Sequence, residues 1–213
     1  MLDLICVTDI NDKQLGLFFK ESHKYLKEFF GGLGIEANIQ DLDSTTLLSQ
    51  QVFNDAIRSK TGKTLVIAYS HGNVDEFRIN NFSYIDKNNS IELKNSFIYS
   101  TACSTAKGIG KQLMSDGCIA FVGYEKETYA EFCDPVKQQT IIQCDHACLF
   151  SFLSDPNKTI LDAFHDAIKY FDSKIKYVEQ TDKDILFVDK LVQNKEALRI
   201  EFNNNITRQD LEY

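Results

Sequence analysis

The sequence predicts an α/β protein, a three-layer α/β/α sandwich built on a mainly parallel sheet. Three observations point there. Short runs such as LDLICVT (residues 2–8), TLVIAY (64–69) and CIAFVG (118–123) are apolar at consecutive positions, as strands covered on both faces require. Between them lie segments whose apolar residues recur at three- and four-residue steps, the period of a helix buried on one side. Glycines and polar turns mark the changes of period.

The elements follow in chain order. The strand at 2–8 ends at a polar turn, Asp9 to Asp12. Leu15, Phe18, Phe19, Ser22, Tyr25, Leu26, Phe29 and Phe30 form the stripe of a first helix, stopped by Gly31, Gly32 and Gly34. Residues 35–42 make a second strand. Asp43 or Ser44 is expected to cap a helix with Leu48, Val52, Phe53, Ala56 and Ile57 on its apolar side, ending at 60–63. The strand at 64–69 is the strongest. Residues 77–85 (FRINNFSYI) place an Asn-Asn pair between short apolar segments, a hairpin signal that interrupts the alternation. Residues 96–101 (SFIYST) are a fourth parallel strand, 104–116 a helix closed by Gly117, and 118–123 a fifth strand. An acidic loop at 125–134 leads to helices at 136–153 and 159–175. The last elements are expected to be a hairpin-like pair at 185–191 and 197–202.

Composition narrows the function classes. With 213 residues, 10 Gly and only 2 Pro, residues 1–213 read as one domain with its own core. A strand predicted from Leu2 leaves no N-terminal recruitment domain in this reading. The 31 acidic residues against 23 basic ones give a net charge of −8, and no Lys/Arg cluster stands out, which disfavours nucleic acid and anionic membrane as partners. No run approaches the roughly 20 apolar residues of a membrane helix, and acidic Asp3 and Asp9 interrupt the apolar start. The six cysteines are scattered in a chain large enough to fold without staples, so they are expected to be reduced thiols in a cytoplasmic protein. No cofactor is expected.

In doubly wound sheets the chemistry sits beyond the carboxyl ends of adjacent strands. Those positions hold Asp9, Ser70-His71-Gly72, Ala102-Cys103-Ser104 and 124–127. His71 follows the third strand and Cys103 the fourth, so neighbouring strands would bring an imidazole and a thiol together. A thiol of ordinary pKa, about 8.5, is mostly protonated at neutral pH, and a nearby imidazole can take its proton. The helix expected from Ser104 would add its N-terminal dipole. The N–H groups of Gly72 and Cys103 could form an oxyanion hole.

LVIAYSHG (65–72) and FIYSTAC (97–103) resemble the caspase-like cysteine peptidases of clan CD, closest to the bacterial CHAT domains. STAKGIGKQLMSDGCIAFVGY (104–124) and FSFLSDPNKTILDAFHDAIKYF (150–171) are similar in order and spacing. The resemblance covers about residues 64–171. It implies a caspase-haemoglobinase type of sandwich and an endopeptidase with His71 as general base, Cys103 as nucleophile and Gly72 as oxyanion donor. It also implies a protein substrate, a separate activating protein partner, and a bacterial setting in which cleavage switches on an effector, often against phage.

The chain departs from caspases where they carry Gln two residues before the nucleophile and Arg-Gly after it. Here stand Thr101 and Ser104-Thr105, so a preference for aspartate at P1, the residue before the cleaved bond, is not implied. Relatives that cut after Arg or Lys place a carboxylate in the pocket for that residue. Asp9, Glu125, Glu127, Glu131 and Asp134 are the acidic residues near the strand ends, and Asp9 is the best single candidate; the plainer reading of such residues is solvated surface.

Other groupings carry less. Cys144, His146 and Cys148, with Cys133, look like zinc ligands, but in a helix His146 would point away from the stripe shared by the two cysteines. Cys6 and Cys118 read as core, and His23 and His165 as helix flanks. A receiver domain would need a phospho-accepting Asp where Ser70-His71-Gly72 stands, and a lipase would need a G-x-S-x-G elbow that is absent. The remaining alternative is a catalytically silent caspase-like module that acts by binding a partner.

Overall fold

The computed structural model describes residues 1–130 and 133–212. In chain order the elements are β1 (Leu2–Thr8), α1 (Gly16–Leu33), β2 (Ala37–Asp43), α2 (Gln50–Arg58), β3 (Thr64–Tyr69), β4 (His71–Gly72), β5 (Glu76–Ile79), β6 (Phe82–Asp86), β7 (Ser96–Ser100), α3 (Ile109–Ser115), β8 (Ala120–Tyr124), α4 (Pro135–Ser154), α5 (Ile160–Thr181), α6 (Ile185–Ala197) and β9 (Leu198–Phe202). A six-stranded sheet runs β2-β1-β3-β7-β8-β9, parallel throughout except for β9, which pairs antiparallel with β8.

Alternation along the strands explains the two-sided core. Leu4 and Cys6 of β1 join Tyr69, Tyr99 and the inner faces of α1, α4, α5 and α6. Ile5 and Val7 face the other way, onto α2, α3 and the small sheet β4-β5-β6. All seven β1 residues are buried, which is why LDLICVT shows no polar face. The result is the expected α/β/α layering. Among the described residues no helix is long and apolar enough to cross a membrane.

The hairpin expected at 77–85 is β5 and β6, turning at Asn80, whose φ of 52° lies in the left-handed region that asparagine tolerates. Four expectations are corrected. Residues 185–191 are not a strand. Asp184 accepts from the Phe187 N–H, and Phe187, Leu191 and Asn194 turn inward at helical steps, so ILFV opens α6 with Ile185 and Leu186 exposed.

The second helix is capped by Ser49, whose Oγ accepts from the Val52 N–H at 3.4 Å, because Asp43 is occupied in the turn at Thr45 and Thr46. Leu48 is then exposed and Leu47 takes the buried position. The segment after Cys103 is a left-handed Ser104 (φ 60°) and a short 3-10 turn, Thr105–Lys107, with α3 beginning only at Ile109. The helix dipole therefore does not act at Cys103. His146, finally, does not point away from the core: it is fully buried, because α4 is enclosed on nearly every side.

Candidate active site

β3 and β7 are direct neighbours, pairing Thr64 with Ser96 through Ala68 with Ser100. Their carboxyl ends therefore open at the same edge, and the segments beyond them carry His71 and Cys103. Both line one cavity of about 260 Å³, with Leu15, Phe18 and Phe19 of the α1 side, Thr101, the loop residues Thr128, Tyr129 and Ala130, and Asp145 of α4. His71 and Cys103 are each half-buried.

The His71 ring is held on two sides. Its Nε2 lies 2.9 Å from Asp12 Oδ2, and Phe19 meets it edge-on at 5.7 Å. With Nε2–H donated to the carboxylate, Nδ1 is the nitrogen left with a lone pair. Burial alone would raise the Asp12 carboxyl, but the Leu15 amide, the His71 ring and the Gln14 amide outweigh it and hold the group below the usual carboxylate range. Asp12 escapes sequence reasoning because it reads as one more residue of a polar turn. Its signal is the Asp12-x-Gln14-Leu15 spacing, in which a carboxylate caps the amides that open α1.

Cys103 is placed by its loop. Thr101 N–H donates to Ala68 C=O at 3.2 Å, and Ser104 N–H to Lys126 C=O at 3.1 Å, tying the cysteine turn to the β8–α4 loop. The same loop supplies Thr128, whose N–H and hydroxyl each lie 3.4 Å from the Cys103 sulfur. Thr128 was invisible in the sequence because this contact forms only when the loop after β8 folds back.

Two features describe the backbone at Gly72, the residue expected to donate to an oxyanion. At the hairpin turn Asn73 N–H donates to Glu76 C=O, so ladder alternation makes Gly72–Phe77 a non-hydrogen-bonded pair and turns the Gly72 N–H away from β5. A Cβ at this position would stand 2.4 Å from Thr105 Cγ2, 2.8 Å from Ala102 Cβ and 3.2 Å from the Cys103 carbonyl oxygen. The two closest neighbours are side-chain atoms, so any larger residue here would have to push Thr105 or Ala102 aside.

Among the described residues, none of the acidic side chains expected in the P1 pocket lines the cavity of His71 and Cys103. Asp9 is buried beside the site and lines a separate cavity of about 420 Å³ with Asn11, Asp12 and Asn80. Its Oδ2 accepts from the Asn80 N–H at 3.2 Å, its Oδ1 has no hydrogen-bond partner among the described residues, and burial raises its carboxyl. Glu125 is paired with Arg199, and Glu127 is exposed. Asp134 caps α4 through the amides of Val136 and Lys137, and Glu131 lies outside the described residues.

The carboxylate that does line the thiol cavity is Asp145, which sequence reasoning passed over between Cys144 and His146. Cys144 and Cys148 are core residues whose thiols burial pushes far up. His146 donates from Nδ1 to the Ile142 carbonyl at 2.7 Å and accepts from the Tyr69 hydroxyl at Nε2, and burial holds it down at about 4. Cys6, His23 and Asp41 bring donor atoms within 4.8 Å of one another, but Asp41 is already engaged by His23 at 2.9 Å and Lys27 at 2.7 Å.

Comparison with protein-family models and with curated proteins finds no match to this chain.

Proposed function

We propose that this protein is a cysteine endopeptidase that uses His71 and Cys103 to cleave a protein partner after a basic residue. The observation that carries the reading is the convergence of both side chains on one cavity, with the imidazole held by Asp12 and the sulfur met by Thr128. In this scheme the Cys103 proton passes to His71 Nδ1 and the thiolate attacks the peptide carbonyl. The N–H of Gly72 and that of Cys103 receive the oxyanion charge. The amine leaves with the proton from His71, and water attacks the thioester to release the acid and restore the thiol.

The resemblance to CHAT peptidases supports a protein effector as substrate, switched on by the cut in bacterial defence against phage, with a separate protein controlling the enzyme in the cytoplasm. The test is incubation of wild type, Cys103→Ala and His71→Ala with fluorogenic peptides ending in Arg, Lys and Asp, with and without candidate activating partners. Hydrolysis after Arg or Lys in wild type alone is the expected result. Hydrolysis that survives Cys103→Ala ends the reading. A wild type inert to every peptide, whose Cys103 reacts no faster than an ordinary exposed thiol, favours a silent binding module instead.

A further inference from the structure

The thiol cavity has an asymmetric lining. Leu15, Phe18 and Phe19 give it an apolar wall, and its only carboxylate among the described residues is Asp145. Asp145 Oδ1 accepts from the Tyr124 hydroxyl at 2.6 Å, its backbone carbonyl accepts from the Tyr99 hydroxyl, and both tyrosines are buried. The carboxyl therefore stands at the closed end, while half-buried Cys103 and His71 stand nearer solvent. The second oxygen, Oδ2, receives no hydrogen bond from the described residues, although Asp145 is only 6% exposed.

We infer that Asp145 is the specificity residue of this site, its Oδ2 receiving the ammonium or guanidinium of a lysine or arginine side chain at P1. This rests on the peptidase reading and supplies the residue that would select the substrate. A long side chain with an aliphatic stem and a cationic head matches a pocket with aromatic walls and an anionic end. A buried carboxyl with one unused acceptor also loses more when left unpaired than when it meets a cation. Asp9, Glu125 and Glu127 are poorer readers, because none of them lines this cavity.

Ionisation supplies a second observable. Burial raises the Asp145 carboxyl to about 7, with the Tyr124 hydroxyl opposing. The ionisable groups around it are Tyr124 of β8, Tyr99 of β7, Tyr69 of β3, Cys144 and His146 on α4 itself, and His71, Cys103 and Tyr129 across the cavity. A cationic side chain needs the ionised form, so preference for it should weaken as pH falls through this region.

The experiment labels the protein with two peptidyl chloromethyl ketones, one ending in lysine and one in leucine, and follows adduct formation on Cys103 by mass. The rate ratio between the probes is the readout, because any change in the intrinsic reactivity of Cys103 affects both alike. Expected is a ratio favouring lysine by about ten- to hundredfold at pH 8, falling toward pH 6, and falling likewise at pH 8 in Asp145→Asn, which keeps an acceptor for Tyr124. A lysine preference that survives in a folded Asp145→Asn overturns the assignment. Should that variant not fold, a wild-type ratio constant from pH 6 to 8 overturns it equally. Reaction of Cys103 with neither probe overturns the peptidase reading beneath it, whereas equal reaction with both overturns only the role of Asp145.

Discussion

His71 Nε2 and Asp12 Oδ2 lie 2.9 Å apart, joining β4, just beyond the end of β3, to the turn that opens α1. The bond leaves Nδ1 as the proton acceptor and fixes the ring plane against Phe19. Asp12 does not line the cavity that holds Cys103, so in the proposed enzyme its role is to position His71. If the proposed peptidase reading holds, Asp12→Ala is expected to lower kcat by about ten- to hundredfold with little change in KM, the scale on which metal-bound histidines lose function without their outer partner. Asp12→Glu should recover part of the loss. A purely structural role would move thermal stability and leave kcat per folded molecule unchanged.

The close approach of Gly72 to the Cys103 turn gives a second prediction. In Gly72→Ala the new methyl meets Thr105 Cγ2 at 2.4 Å and Ala102 Cβ at 2.8 Å, so one of the segments must shift. Overpacking of this kind costs about 1–3 kcal/mol, to be read from urea midpoints. Because the shift moves the proposed oxyanion donor, the proposed peptide hydrolysis should fall further than stability alone explains. Adding Thr105→Ser removes the nearer clash and should return part of the stability.

The sequence made the sheet legible wherever burial on both faces forced unbroken apolar runs, as with Leu4 and Cys6 on one side and Ile5 and Val7 on the other. His71 and Cys103 were legible for the same reason, since each follows such a run. What escaped depends on contacts between segments distant in the chain. Thr128 reaches Cys103 across 25 positions and Asp12 reaches His71 across 59. Asp145 was hidden by its helix: α4 buries Ile141, Ile142, Cys144, Asp145, His146, Cys148 and Leu149, so no single stripe separates an inside from an outside. The run ILFV misled because helical and strand periods coincide over four apolar residues.

The six cysteines should separate by alkylation. Burial pushes the Cys6, Cys144 and Cys148 thiols far up and Cys118 to about 12, while Cys103 is half-buried and Cys133 exposed. Iodoacetamide at pH 7.5, followed by peptide mass, should modify Cys103 and Cys133 first and the other four only as the protein unfolds. Thr128→Val removes the hydroxyl 3.4 Å from the Cys103 sulfur. It should slow Cys103 relative to Cys133 by about two- to tenfold, the scale of one hydrogen bond. An unchanged ratio would show that the hydroxyl does not tune the thiol.

Two adjacent buried groups on α4 make opposite demands on pH. The Asp145 carboxyl is raised to about 7, so between its unfolded value near 4 and about 7 the native state keeps a proton that the unfolded chain has lost, and stability falls as pH rises. His146 is lowered to about 4, so between about 4 and its unfolded value near 6.5 the unfolded chain holds a proton that the native state lacks, and stability rises with pH. Each slope is about 1.4 kcal/mol per pH unit, and over their shared window they nearly cancel. Asp145→Asn removes the first and exposes the second. Urea denaturation from pH 4 to 8 should show the variant gaining on wild type through the acid range and levelling off above about pH 7. Parallel curves for the two proteins would mean that Asp145 titrates alike folded and unfolded, and hence that water reaches it in the closed end of the cavity.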